Sequence, residues 1–192
     1  MLKRTLRATA LLALVTAIAT PAAAAPNPPA ATPPSASASV SVLTGQARLG
    51  YEVTNEVVRV TVDARSTYRA GSIPTRPSGT FRISHIIEGR DYWGDFAVDC
   101  LTTGGPTATV TGRLVRTSPG HPWRTALAPR TRMGLSFHVP EQGVARVGLS
   151  GATAKGAPLL TRCMAPAADM PVTEGAFTLR DRSPQTGAAT TR

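Results

Sequence analysis

From about residue 42 onward the chain alternates apolar and polar positions. In "EVVRVTVDA", Val58, Val60, Val62 and Ala64 fall on one side and Arg59, Thr61 and Asp63 on the other. "GTFRISHII" repeats the pattern, with Phe81, Ile83, His85 and Ile87 against Thr80, Arg82 and Ser84. "GDFAVDCL" aligns Phe96, Val98 and Cys100, and "TATVTGRLV" follows it. "RMGLSFHV" aligns Met133, Leu135, Phe137 and Val139, and "ARVGLSG" aligns Ala145, Val147 and Leu149. "VLTGQARLGY" opens the series, and "PLLTRCM" and "GAFTLRD" close it. Period-2 runs bounded by Gly, Pro, Asn and Ser are the pattern of half-buried strands. Clean alternation further implies antiparallel sheet with one face in the core. No segment shows a convincing amphipathic helix. The expected fold is all-β, an antiparallel β-sandwich or small β-barrel of about eight or nine strands.

Within this pattern, "TTGGP" joins two strands, 95–101 and 107–115. Gly104 and Gly105 supply the positive φ of a tight hairpin turn. Pro106 cannot donate a ladder hydrogen bond and belongs at a strand edge. The alternation puts Cys100 beside Phe96 and Val98, so its side chain is expected to point inward.

The first 41 residues have a different composition. Lys3, Arg4 and Arg7 precede an apolar run from Ala8 to Ala19, and Ala22-Ala23-Ala24 fits a small-residue cleavage site. Residues 1–24 read as a signal peptide; the run is too short for a transmembrane helix, and Pro21 closes it. Residues 25–41, rich in Pro, Ala and Ser, read as a linker. The all-β domain is expected over 42–182, with a disordered tail at 183–192. Nothing else approaches the length of a membrane span, so the expectation is a soluble chain, secreted, extracellular or cell-wall associated. Cys100 and Cys163 are the two cysteines, and an oxidising compartment favours joining them unless one pairs between chains.

The motifs "GTFRISH", "WGDFAVDCLTTGGPTATVTGRLV", "RMGLSFHV", "RVGLSG" and "RCMAPA" occur in this order. The pattern resembles secreted β-rich proteins of high-GC bacteria often labelled repetin, over about Leu43 to Asp181. That resemblance implies export, an all-β domain and the Cys100–Cys163 pair, and it implies no activity. The relatives carry an Asp- and Gly-rich turn where this chain has "PEQGVARV", which weakens any calcium site tied to that turn.

The formal charge is +10, and losing the three cations of the signal peptide lowers it to +7. Almost every cation is arginine; the lysines are Lys3 and Lys155. Such an excess can be compositional, as in a GC-rich genome, or it can hold an exported protein on anionic envelope polymers. The stretch 113–133, "RLVRTSPGHPWRTALAPRTRM", reads as a long irregular connection. Its Arg116, Trp123, Arg124, Arg130 and Arg132 are the best candidate surface for phosphate, sulfate or carboxylate groups, through forked hydrogen bonds and stacking. Tyr92 and Trp93 form a second candidate, as a sugar-binding platform.

The same region offers catalytic alternatives. Glu88, Asp91 and Asp95 lie close together beside Tyr92 and Trp93, and paired carboxylates beside aromatic rings are the equipment of a glycoside hydrolase. An acidic, glycine-containing hairpin loop with its aromatic pair packed down explains them equally well. His85, His121 and His138 do not share a face and form no metal-binding motif, so neither metal nor cofactor is expected. Ser150 lacks the strand-to-helix elbow and partners of a nucleophile. No nucleic-acid module is present. A closed sheet with an apolar interior pocket for a small ligand is a third possibility. The expected function is a secreted, non-catalytic β-domain that binds anionic extracellular or envelope polymers, or carbohydrate; the alternative is a carbohydrate-active hydrolase.

Overall fold

A computed structural model describes residues 39–68, 74–128 and 130–181. The expected signal peptide, the linker up to residue 38 and the tail 183–192 lie outside the described residues. Eight strands run in order: β1 (Ser39–Leu49), β2 (Glu56–Tyr68), β3 (Thr75–Ile87), β4 (Arg90–Gly104), β5 (Thr107–Thr117), β6 (Arg132–His138), β7 (Arg146–Leu149) and β8 (Met170–Arg180). A single helical turn, α1 (Trp123–Ala126), interrupts the β5–β6 connection. Each strand pairs antiparallel with its neighbour, and β8 returns to pair with β1, from Val42 opposite Arg180 to Leu49 opposite Val172. The sheet is a closed barrel, not a sandwich. Closure removes the exposed edges that would otherwise invite aggregation. β1 opens at Ser39, inside the stretch read as linker.

The alternation read from the sequence builds the interior. Leu43, Val60, Val62, Phe81, Ile83, Phe96, Val98, Val110, Leu135, Phe137 and Val147 are buried in one cluster. Phe81 and Phe96 stack with centroids 4.7 Å apart, and Phe137 meets Phe177 edge-on at 5.0 Å. Burying each such side chain contributes roughly 1.5–3 kcal/mol, which drives closure. These rings fill the middle of the barrel. At one end lie the β1–β2, β3–β4, β5–β6 and β7–β8 connections, and at the other the β2–β3, β4–β5 and β6–β7 connections.

Three sequence expectations are corrected. First, Cys100 does not point inward. Val98 faces Gly112 and Leu101 faces Val110, but Cys100 pairs with Thr111, so Asp99 is an extra residue on β4. A bulge of one residue reverses the facing of the next side chain. Cys100 therefore lies on the outer wall, 1% exposed.

Second, "PLLTRCM" is not a strand. Residues 150–169 form an irregular strap across the outer faces of β5, β6 and β7. Cys100–Cys163 fastens it, with Cα atoms 5.4 Å apart. The Cys163 N–H donates to Thr111 Oγ1 at 3.2 Å, Arg132 Nη1 to the Leu160 carbonyl at 2.7 Å, and Arg162 Nε to the Asp99 carbonyl at 2.6 Å. The Ser136 hydroxyl donates to the Pro166 carbonyl. Gly134 and Gly148 permit this approach: a Cβ there would come within 2.2 Å of the Met164 carbonyl oxygen and 2.1 Å of that of Ala167. Leu160 is apolar because it packs on the sheet, which is why the segment imitates a strand.

Third, 113–133 is not one loop. Arg113–Thr117 continue β5, and Arg132 and Met133 already belong to β6.

Candidate functional site

The β3–β4 turn decides how the aromatic and acidic candidates are displayed. Glu88 and Gly89 have φ of 49° and 79°, the left-handed pair of a two-residue hairpin turn. Strand β4 thus starts at Arg90, and Tyr92 and Trp93 are consecutive strand residues. Consecutive strand residues face opposite sides of a sheet. The two rings therefore cannot form one platform: Trp93 lies on the outer wall and Tyr92 at the barrel mouth.

On the outer wall, Asp95 stands between Arg82 of β3 and Arg116 of β5, opposite each in register. Arg82 donates to it through Nε (2.6 Å) and Nη2 (3.0 Å), and Arg116 through Nη2 (2.7 Å) and Nε (3.0 Å). Both guanidinium carbons lie over the Trp93 ring, 4.1 Å and 5.4 Å from its centroid. The Arg116 side chain remains 68% exposed, so a held guanidinium faces solvent. Arg82, Asp95 and Arg116 border an outer groove of about 620 Å³, together with Thr61, Asp63 and Thr80.

The hydrogen bond from Arg82 is the largest influence holding the Asp95 carboxyl below its ordinary range; burial opposes it, and the Arg116 bond adds to it. A depressed carboxyl pKa contributes stability that is complete above the ordinary value of about 3.9 and is lost as pH falls through the lower folded value. Urea midpoints of the parent and Asp95→Asn should therefore differ most above pH 5 and converge towards pH 2. A gap that stays constant with pH would mean that the ion pairs contribute nothing.

At the mouth, α1 and its flanks cap the barrel. Trp123 drops onto Gly94, where a Cβ would stand 2.7 Å from its Cζ3, and meets Phe96 edge-on at 6.1 Å. His121 lies against Trp123 with ring centroids 4.4 Å apart, and its Nδ1 accepts the Trp123 backbone N–H at 3.0 Å. Tyr92 meets His121 edge-on at 5.6 Å. His85 Nε2 bonds Glu56 Oε2 at 2.6 Å, and its ring meets Tyr51. His85, Ile87, Tyr92, His121, Pro122 and Trp123 line a cavity of about 300 Å³. Burial, and then the charge of His85, push the His121 pKa down. Sequence reasoning kept His85 and His121 apart because the cap's path cannot be read from a strand pattern.

The remaining candidates scatter. Arg124 and Arg130 are exposed on the cap. Arg132 is 9% exposed: its Nε donates to Asp99 at 2.8 Å on the wall beneath the strap, so it is not part of a free surface. Asp91 and Asp95 are four residues apart on one strand, a Cα separation of roughly 13 Å at strand rise. Hydrolase carboxyl pairs stand about 5–9.5 Å apart. Glu88 sits at the exposed turn. Among the described residues no group of three or more His, Cys, Asp or Glu side chains could hold a metal ion, and no helix is long and apolar enough to cross a membrane. No family model, curated protein or solved structure matches the chain.

Proposed function

We propose that this chain is an exported, non-catalytic binding protein that retains anionic extracellular or envelope polymers on the outer wall of its barrel. The observation that carries the reading is Arg116: Asp95 and the Trp93 ring hold its guanidinium in place while it stays largely open to solvent. A fixed guanidinium fork loses little freedom when it takes a phosphate, sulfate or carboxylate group. Arg124 and Arg130 add exposed charge on the cap, and the net charge, +7 once residues 1–24 are removed, supplies long-range attraction. The disulfide suits an oxidising compartment. Nothing in the arrangement of Glu88, Asp91 and Asp95 favours the hydrolase alternative.

Teichoic acid and purified envelope fractions are the test ligands. Co-sedimentation should weaken about tenfold between low and high salt, because exposed charges are screened. Arg116→Ser combined with Arg124→Ser and Arg130→Ser should lose most of it. Binding that is indifferent to salt, or retained in that variant, would reduce the basic charge to composition.

A further inference from the structure

We propose that the barrel mouth is a separate site for a small aromatic carboxylate, with the ring in the cavity lined by Tyr92, His121 and Trp123 and the carboxylate on Arg90. Arg90 lies opposite Ile87 in the β3–β4 ladder, so it shares the face of a residue that lines the cavity. Its guanidinium is stacked over the Tyr92 ring, 4.9 Å from the centroid. It also lies close to Gly120 of the cap, where a Cβ would stand 2.8 Å from Nη2 and where φ is +70°. Side chain and cap therefore fix the guanidinium beside the mouth. Among the described residues no carboxylate lies within 4.0 Å of it, which is also true of Arg48, Arg59, Arg124, Arg130, Arg146, Arg162 and Arg180; what sets Arg90 apart is its place over an aromatic ring that lines a cavity. A positioned guanidinium fork without an acidic partner, next to an aromatic cavity, fits a ligand carboxylate through two parallel hydrogen bonds.

The cavity selects the rest of the ligand. A volume of about 300 Å³ is the size of a small-ligand site and admits one ring system. Tyr92 and Trp123 offer faces and edges for offset or edge-on aromatic contact. His121 narrows the chemistry further. Its Nδ1 lone pair is taken by the Trp123 N–H, so the neutral ring carries its proton on Nε2 and retains one donor for a polar substituent. The Glu56 carboxylate is engaged by His85.

The chain has two tryptophans, and Trp93 is on the outer wall, so Trp93→Phe leaves Trp123 as the sole fluorescent reporter of the mouth. In this background benzoate should quench Trp123 saturably, with matching calorimetric binding. Benzamide, the neutral isostere, should bind more weakly. Arg90→Gln, an exposed substitution that spares the core, should weaken benzoate about tenfold and leave benzamide unchanged. Tyr92→Leu should weaken both. Absence of saturable benzoate binding, or equal benzoate affinity with and without Arg90, would overturn the proposal. Polymer retention through Arg116, Arg124 and Arg130 is unaffected by either outcome, so the two readings fail separately.

Discussion

Replacing Cys100 and Cys163 by serine should lower stability by roughly 4 kcal/mol, the loop-closure value for a bridge of this span. The cysteines are 63 residues apart in sequence, and the bridge ties the strap to the bulge on β4. For a domain of this size the loss corresponds to a fall in Tm of roughly 12 °C. The loss should be local before it is global. Without the bridge, the strap retains the bonds of Arg132 and Ser136 to its carbonyls and that of its own Arg162 to the Asp99 carbonyl, which are partly exposed to water. Hydrogen exchange should quicken first in β6, β7 and residues 150–169, while β1–β4 keep their protection. Thermal melts under oxidising and reducing conditions, read with exchange mass spectrometry, test both parts. An unchanged Tm would mean that the strap is held by its polar contacts alone.

Asp99→Ala is the second large effect. The Asp99 carboxylate accepts the Thr111 hydroxyl at 2.6 Å and Arg132 Nε at 2.8 Å, with Arg113 Nε at 3.6 Å. The Arg132 side chain is only 11% exposed. Removing the acid leaves that guanidinium desolvated with a single carbonyl for partner, and such uncompensated burial costs about 3 kcal/mol. Arg113, half-buried and further away, contributes little. The asymmetry of buried pairs makes the test sharper. Asp99→Leu combined with Arg132→Met removes both charges, and it should recover much of what Asp99→Ala loses. Urea unfolding of the three variants decides the matter. If the double variant is no more stable than Asp99→Ala, the ion pair is not what fixes this part of the wall.

Much of the barrel was legible because each strand with one buried face imposes a period of two, and Val58–Ala64 or Met133–Phe137 could bury their apolar side in only one way. Gly104 and Gly105 marked the β4–β5 turn for an equally local reason. What escaped was set by contacts distant in sequence. The bulge at Asp99 leaves the composition of β4 unchanged while reversing Cys100, since Leu101 restores the apolar face one residue later. Leu160 looks like a strand residue because the strap rests on a sheet, and apolarity reports contact, not conformation. Tyr92 and Trp93, adjacent in sequence, read as one platform until the two-residue turn at Glu88 and Gly89 puts both on a strand, where neighbours face opposite sides. Arg132 looked exposed because nothing near it in sequence announces Asp99. The gathering of His85, Tyr92, His121 and Trp123 required the cap's path, which follows from Gly94 leaving room for an indole.

The pairing of the first strand with the last sets the order in which this molecule can assemble. The hairpins from β1 to β6 join neighbours in sequence, but β1 gains its second partner only when Thr178, Leu179 and Arg180 arrive, and β7 meets β8 through just Arg146–Pro171 and Val147–Met170. Contacts that close so long a stretch of chain carry a large entropic cost before they return any stability, and they slow folding accordingly. A partly emerged chain is therefore an open, twisted ribbon with Phe81 and Phe96 uncovered, and the barrel forms as a late event. On the export route proposed above such delay would be useful, because the topology that pairs the last strand with the first keeps the barrel from closing too early.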